Sequence, residues 1–451
     1  MSKVIKLKKG LNINLKGKPE NHVLPTETSC LFAVKPTDFY ALTPRLNVKV
    51  GDEVKAGSTL FFDKSNPKIR FASPVNGKIE SINRGERRKL LEVVIRREGA
   101  DIEYEDFGSL SCESSDRDAI CEKMLESGVW PVIKQRPYGV IANPAIVPDA
   151  VFVSTFDSAP IGPDLAFIAK DEFAALQEGL NCLAKLCGKK VYLNLKYGAD
   201  NSLFEKLDNV EINYFSGPHP AGSTGIQIHH IRPINKGDHL WTVDLQNVII
   251  IGRLFMSGKY DARKIIAVSG SKVKTPAYCR IISGTSIENI VRENVDFTED
   301  IRYISGNVLT GDRISDNGFI GFYANQLSVI PEGNHYEFLG WAAPGLDKFS
   351  ASKLFLSRIF PKKSYDIDTN YHGGPRAFVV NGEYEKVLPM DIYPVYLLKA
   401  VLAGDIDKME QLGIYEILPE DFALCEFVCT SKTPVQEIVR KGIDIMLREV
   451  N

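Results

Sequence analysis

The side chains best suited to chemistry are gathered between Ser216 and His230, in the run Ser-Gly-Pro-His-Pro-Ala-Gly-Ser-Thr-Gly-Ile-Gln-Ile-His-His. Four of the seven histidines, His219, His229, His230 and His239, fall within it or just after it. An imidazole can exchange a proton near neutral pH or ligate a metal. A metal is the poorer reading, because no H-x-H or H-x-x-x-H pair places two ring nitrogens on one side of an element. Tyr214 adds a phenol just upstream, and Gly222 permits close backbone approach. Proline fixes φ at about −65° and glycine opens positive φ, so Ser216 to Gly222 reads as a shaped loop, a common carrier of function. His229 and His230 are expected on a following strand, where neighbouring side chains point to opposite faces and cannot share one pocket.

The elements before this loop alternate. Ala150 to Thr155 is a short apolar strand, and Lys170 to Cys187 carries helical periodicity through Phe173, Leu176, Leu180, Leu183 and Leu186. Lys190 to Leu195 reads as a strand, Ser202 to Leu207 as a short helix, and Val210 to Phe215 as the strand that feeds the loop. Val248 to Ile251 is expected to close the unit as a buried strand. Strand–helix–strand order over 113–256 predicts a Rossmann-like α/β domain, with ligands near the carboxyl ends of parallel strands. The nucleotide loop of such a domain is missing, since neither G-x-G-x-x-G nor G-x-x-x-x-G-K-[ST] occurs. Pro160 and Pro163 also remove amide donors after the first strand.

Residues 1–112 read as short strands and turns. Val48-Lys-Val-Gly-Asp-Glu-Val-Lys-Ala-Gly and Ala72-Ser-Pro-Val-Asn-Gly resemble the two sequence elements of a biotinyl/lipoyl-type carrier β-barrel. Asn76-Gly77 is expected to be a hairpin turn. Lys64 occupies the place of a carrier lysine, but Asn66-Pro67-Lys68 lengthens its loop, so the barrel is expected to dock rather than carry a group. Residues 257–332 place strands around one helix at Ser286 to Glu293, as in a β-grasp-like α+β module of the SLBB type. Residues 333–451 read as an irregular insertion, Asn334 to Arg376, and a helical C-terminal region. Thr433, Pro434 and Gln436 there form a capping-box signature for the last helix. The whole is an α/β multidomain chain.

Composition narrows the function. At 451 residues about two to four domains are expected. A net charge of −2 offers no basic footprint for nucleic acid. No stretch reaches the roughly 18 apolar residues of a membrane span, and the N-terminus lacks a signal-peptide core. A cytoplasmic protein without direct bilayer insertion is therefore expected. Eight cysteines in so long a chain make no disulfide framework, and Cys425 and Cys429 are expected to be reduced and on one helix face. The C-terminal region is expected to be separable after Leu418 without unfolding the α/β domain.

The order of these units, with Ser216-Gly-Pro-His-Pro-Ala-Gly, Trp241-Thr-Val-Asp-Leu-Gln-Asn-Val and Ala423-Leu-Cys-Glu-Phe-Val-Cys, closely resembles the A subunits of sodium-translocating NADH:quinone oxidoreductases. That family is similar to RnfC-type electron-transfer subunits and to the flavin-binding NADH subunit of respiratory complex I. Those relatives carry a glycine-rich flavin loop and terminal cysteine clusters, where this chain has only Glu126-Ser-Gly-Val-Trp-Pro-Val-Ile and the pair Cys425 and Cys429.

The resemblance implies a peripheral subunit of a redox pump that binds no cofactor itself. The NADH, FAD, FMN, iron–sulfur and quinone chemistry would belong to the complex. It also implies partners among the integral membrane subunits and their neighbours, chiefly the B and C subunits, the former carrying quinone and FMN. A quinone would need donors for its carbonyl oxygens, and Tyr214, His219, Gly222, His229 and His230 are the candidates for that contact. A pure scaffold and a flavin- or NADH-binding electron-transfer protein are the alternatives.

Overall fold

The computed structural model describes residues 3–450 except 28, 336, 338, 339 and 341–343. A seven-stranded sheet runs, from one edge to the other, Lys3–Lys6, Val210–Ser216, Val191–Lys196, Ala150–Ser154, Leu240–Thr242, Lys134–Arg136 and Val140–Ile141. Its first five strands are mutually parallel; Lys134–Arg136 runs antiparallel to Leu240–Thr242, and Val140–Ile141 antiparallel to Lys134–Arg136. The outermost parallel strand comes from the chain's beginning, with Lys3 opposite Asn213 and Lys6 opposite Ser216.

Both faces of this sheet are buried, in two different cores. Alternate side chains of a strand point to opposite faces. Accordingly Val151 and Val153 join the core formed with the helix Phe173–Cys187 and the N-terminal barrel. Ala150 and Phe152 join another core, built with Phe215, Ile226 and Ile228 against Leu397, Leu398, Phe422 and Val439 of the C-terminal helices. The C-terminal region is thus the second cover of the parallel sheet, which argues against the expected separability after Leu418.

Val248 to Ile251 is helical. It lies inside Leu245–Ser257, which starts at Asp244, whose carboxylate accepts the Gln246 N–H at 2.9 Å. A short all-apolar run cannot by itself separate buried strand from buried helix. Its packing on Phe173–Cys187 needs glycine. A Cβ on Gly179 would lie 2.1 Å from the Val248 carbonyl oxygen, and one on Gly252 1.8 Å from that of Ala175.

The N-terminal barrel comprises the sheet Leu31–Val34, Leu90–Arg97, Gly77–Arg84 and Glu53–Val54, facing the smaller sheet Pro44–Leu46, Thr59–Asp63 and Arg70–Ala72. Asn76-Gly77 makes no hairpin; it is where the chain passes from one of these sheets to the other. Gly77 has φ +148°, and a Cβ there would stand 2.0 Å from the Arg96 carbonyl oxygen. Lys64 does sit in the turn between the antiparallel strands Thr59–Asp63 and Arg70–Ala72.

A six-stranded sheet follows, ordered Asp312–Ile314, Ile301–Ser305, Gln326–Pro331, Arg263–Ser269, Ala277–Ile282 and Val23–Leu24, with the helix Glu288–Asn294 beside it. Between 334 and 376 the described residues hold no regular strand and a single helical turn, Leu356–Ile359. The last helix is Val435–Val450. Its start is capped from outside the expected motif: Glu426 accepts the Gln436 N–H at 2.7 Å, while the Gln436 side chain donates to the Leu309 carbonyl. Thr433 instead donates its backbone N–H to Cys429 Sγ at 3.3 Å.

Cys425 and Cys429 are buried free thiols, whereas Cys112 and Cys182 form a disulfide with their Cα atoms 5.5 Å apart. Their sequence separation of 70 leaves no local spacing signature for such a bridge. No helix among the described residues is long and apolar enough to cross a membrane.

Candidate functional site

The histidine-rich run sits where the strand Val210–Ser216 ends, at the carboxyl edge of the parallel strands. After the loop, Thr224–Ile231 is a helix, so His229 and His230 do not alternate across a strand. They lie in its last turn with their rings edge to face, centroids 5.2 Å apart.

His219 is 8% exposed and held on several sides. Its backbone N–H donates to Asn12 Oδ1 at 2.9 Å, and its carbonyl accepts the Leu11 N–H at 2.8 Å. Its Nδ1 lies 3.0 Å from Ser158 Oγ, which also accepts the Gly222 N–H at 2.8 Å. Nε2 has no hydrogen-bond partner among the described residues. Burial disfavours the imidazolium and pushes His219 down to about 4, against a smaller opposing hydrogen bond from the ring to the Ser158 backbone. At neutral pH this ring is an uncharged hydrogen-bonding group. Gly222 makes the closure possible, since a Cβ there would meet Ser158 N at 2.6 Å and the Phe156 carbonyl at 2.9 Å.

His229 and His230 face the C-terminal region. His229 Nε2 accepts the Asp391 N–H at 2.9 Å, which leaves Nδ1 to donate to Glu416 Oε2 at 2.7 Å. His230 Nε2 donates to the Pro389 carbonyl at 2.8 Å. Burial, and then the neighbouring His229, lower His230. Tyr214 is apart from all three, donating its hydroxyl to Glu205 Oε1 at 2.7 Å, a bond that raises the phenol. Its ring meets Tyr197 edge-on.

Two features were not foreseen. Gln227, fully buried, donates to Ser154 Oγ at 3.0 Å and to the Ala221 carbonyl, and accepts from Asn194 Nδ2 at 3.0 Å. It ties two strand ends to the loop and its helix; the only sequence signal was a glutamine between Ile226 and Ile228. Beside it, Asn194 Oδ1 and Asn213 Nδ2 are buried without a hydrogen-bond partner, on residues that face each other in register. The second feature is the ion pair of Arg136 Nη1 with Asp421 Oδ2 at 2.9 Å, both side chains buried. Gly225 leaves room for it, because a Cβ there would lie 2.2 Å from Asp421 Oδ1. Charges separated by nearly three hundred residues give no local pattern to read.

A barrel-sandwich unit, a unit with a mainly parallel sheet and a third mixed sheet define a multidomain α/β protein. Three family profiles match in the same order: "NqrA N-terminal barrel-sandwich hybrid domain" over 5–98, "NqrA second alpha/beta domain" over 115–260 and "NQRA C-terminal domain" over 265–316. Full-length relatives are found among the A subunits of the "Na(+)-translocating NADH-quinone reductase". The one from Neisseria meningitidis serogroup B is 37% identical over 448 residues, covering 99% of this chain and 100% of that protein. Those from Hahella chejuensis and Aliivibrio salmonicida are 36% and 35% identical, with the same coverage. The chain belongs to the family of Na(+)-translocating NADH-quinone reductase A subunits, and so to the subunits of an oxidoreductase complex.

Among solved structures, an NAD+-reducing [NiFe]-hydrogenase chain matches with a TM-score of 0.38 and 12% identity, over 75% of this chain and 62% of that one. A likeness at that level carries no argument.

Proposed function

We propose that this chain is the cofactor-free peripheral subunit of a sodium-pumping NADH:quinone reductase, on the cytoplasmic face of the membrane, helping to seat quinone and to hold the assembly together. Its partners are then the integral subunits and their neighbours, chiefly the B and C subunits, the former carrying quinone and FMN. NADH, FAD, FMN and iron–sulfur chemistry stays with the rest of the complex. The full-length kinship with A subunits carries the assignment to the complex. In this reading the parallel sheet is a Rossmann-like scaffold with its nucleotide loop replaced, and the third sheet a β-grasp-like module.

Of the five candidate quinone contacts, His219 is the one that can still offer a donor: His230 spends its N–H on the Pro389 carbonyl, His229 uses both ring nitrogens, Tyr214 donates to Glu205 and the Gly222 N–H to Ser158. If Ser158 spends its hydroxyl hydrogen on Nδ1, the His219 proton resides on Nε2 and can be donated to a quinone carbonyl. A neutral ring of this kind orients a substrate and does not protonate it. Gly222 and Ser158 hold it in place, while Tyr214 stands on the flank. The engagement of His229 and His230 with Glu416, Asp391 and Pro389 supports a structural role for that pair, fastening the C-terminal region to the helix after the loop.

The test compares His219→Ala with His219→Gln in the assembled complex. Loss of one donor, about 1.4 kcal/mol, predicts a roughly tenfold rise in KM for quinone in the alanine variant. Glutamine should restore most of it, and NADH oxidation with an artificial acceptor should not change. Equal quinone KM in all three proteins refutes the contact.

A further inference from the structure

From Lys348 to Tyr365 the chain contains five cations, Lys348, Lys353, Arg358, Lys362 and Lys363, and no carboxylate, in a protein whose net charge is −2. Within this stretch Leu354 is 72% exposed, Leu356 48%, Ile359 64% and Phe360 54%. Leu346, also exposed, is tied to the same surface: Lys363 Nζ donates to the Leu346 carbonyl and the Leu356 N–H to the Pro344 carbonyl. Single exposed apolar side chains are ordinary, but five on one short stretch of chain, interspersed with cations, point to an interaction site.

Two of the cations are answered internally, Lys348 by Glu337 and Lys363 by Asp347. Lys353, Arg358 and Lys362 have no ion-pair partner among the described residues. An apolar strip between unanswered cations is complementary to an apolar surface bordered by carboxylates. The segment's irregular path, with one helical turn, suits a fixed protein relief. An interfacial lipid-binding helix would instead present a regular apolar face along its length.

The structure assigns this surface, Leu346 to Lys363, as the docking site for another protein of the complex, which meets it with apolar side chains flanked by Asp or Glu. The assignment rests on the reading of this chain as part of that complex. It adds a contact distinct from the barrel, which is itself expected to dock. Complementary charge speeds and orients docking, while apolar burial holds it.

The experiment places a photo-crosslinking amino acid at Ile359 of the full chain, expressed with the other subunits, and identifies the attached partner by mass spectrometry. It is paired with Leu354→Ser/Ile359→Ser and Arg358→Glu variants, whose melting temperatures in the isolated chain should match wild type. A crosslink to one of the other subunits, with at least tenfold less variant chain retained on the purified complex, is the expected result. Crosslinks to lipid alone, or none from a complex that retains the chain, overturn the assignment. Undiminished retention of both variants overturns it equally. If wild-type chain itself fails to co-purify, the fault lies with its placement in the complex instead.

Discussion

Arg136 and Asp421 form a buried ion pair across the seam between the parallel sheet and the C-terminal helices. Burial raises the Asp421 carboxyl, and the guanidinium opposes that shift. The aspartate also accepts the Leu418 N–H at 2.9 Å, and Arg136 reaches the Glu416 carbonyl, so one pair organises the whole turn before Phe422.

Removing one partner leaves the other charge buried and alone. Asp421→Ala should destabilise the isolated chain by about 3–5 kcal/mol, measured by urea denaturation. Arg136→Met combined with Asp421→Leu should recover most of that loss. A single variant as stable as wild type would show that the seam does not depend on the pair.

Acid should weaken the chain partly through His219. Its value in the folded protein, about 4, lies below the unfolded value of 6.5. The unfolded chain therefore binds the extra proton first, and stability falls as pH drops from about 6.5 towards 4. The full effect is roughly 3 kcal/mol. The difference in unfolding free energy between wild type and His219→Gln should shift by this amount between pH 7 and pH 4. A constant difference contradicts the burial argument.

Gly222→Ala should be costly although the change is one methyl. The new carbon has Ser158 N and the Phe156 carbonyl in its way, both backbone. A loss of about 1–3 kcal/mol is expected. NMR shift changes should centre on Ser158 and His219. An unperturbed spectrum would mean the two loops do not close on each other.

Cutting the chain after Leu418 should expose the sheet face bearing Ala150, Phe152 and Phe215, which Phe422 and Val439 otherwise cover. The fragment is expected to aggregate or to bind a hydrophobic dye. A monomeric fragment with a cooperative transition would establish the tail as dispensable.

The strands Ala150–Ser154, Val191–Lys196 and Val210–Ser216, and the helix Phe173–Cys187, were legible because their apolar spacing is local and unambiguous. Val248 to Ile251 was not, because four consecutive apolar residues fit either buried element. Asn76-Gly77 misled because its turn chemistry serves a passage between sheets. His229 and His230 were placed on the wrong element, for the glycine and proline before them hide the Thr224–Ile231 helix. What these rings bind, at Glu416, Asp391 and Pro389, lies more than 150 residues away and is set by packing alone.

The strand Lys3–Lys6 completes the sheet edge beside Val210–Ser216. During synthesis this strand therefore has no partner until more than two hundred further residues have followed it. At about 5–20 residues per second that wait is roughly ten seconds or longer. Lys3–Lys6 is among the last elements that can settle into place, and a bulky insertion beside it would act on assembly of the sheet and leave the barrel to form on its own schedule.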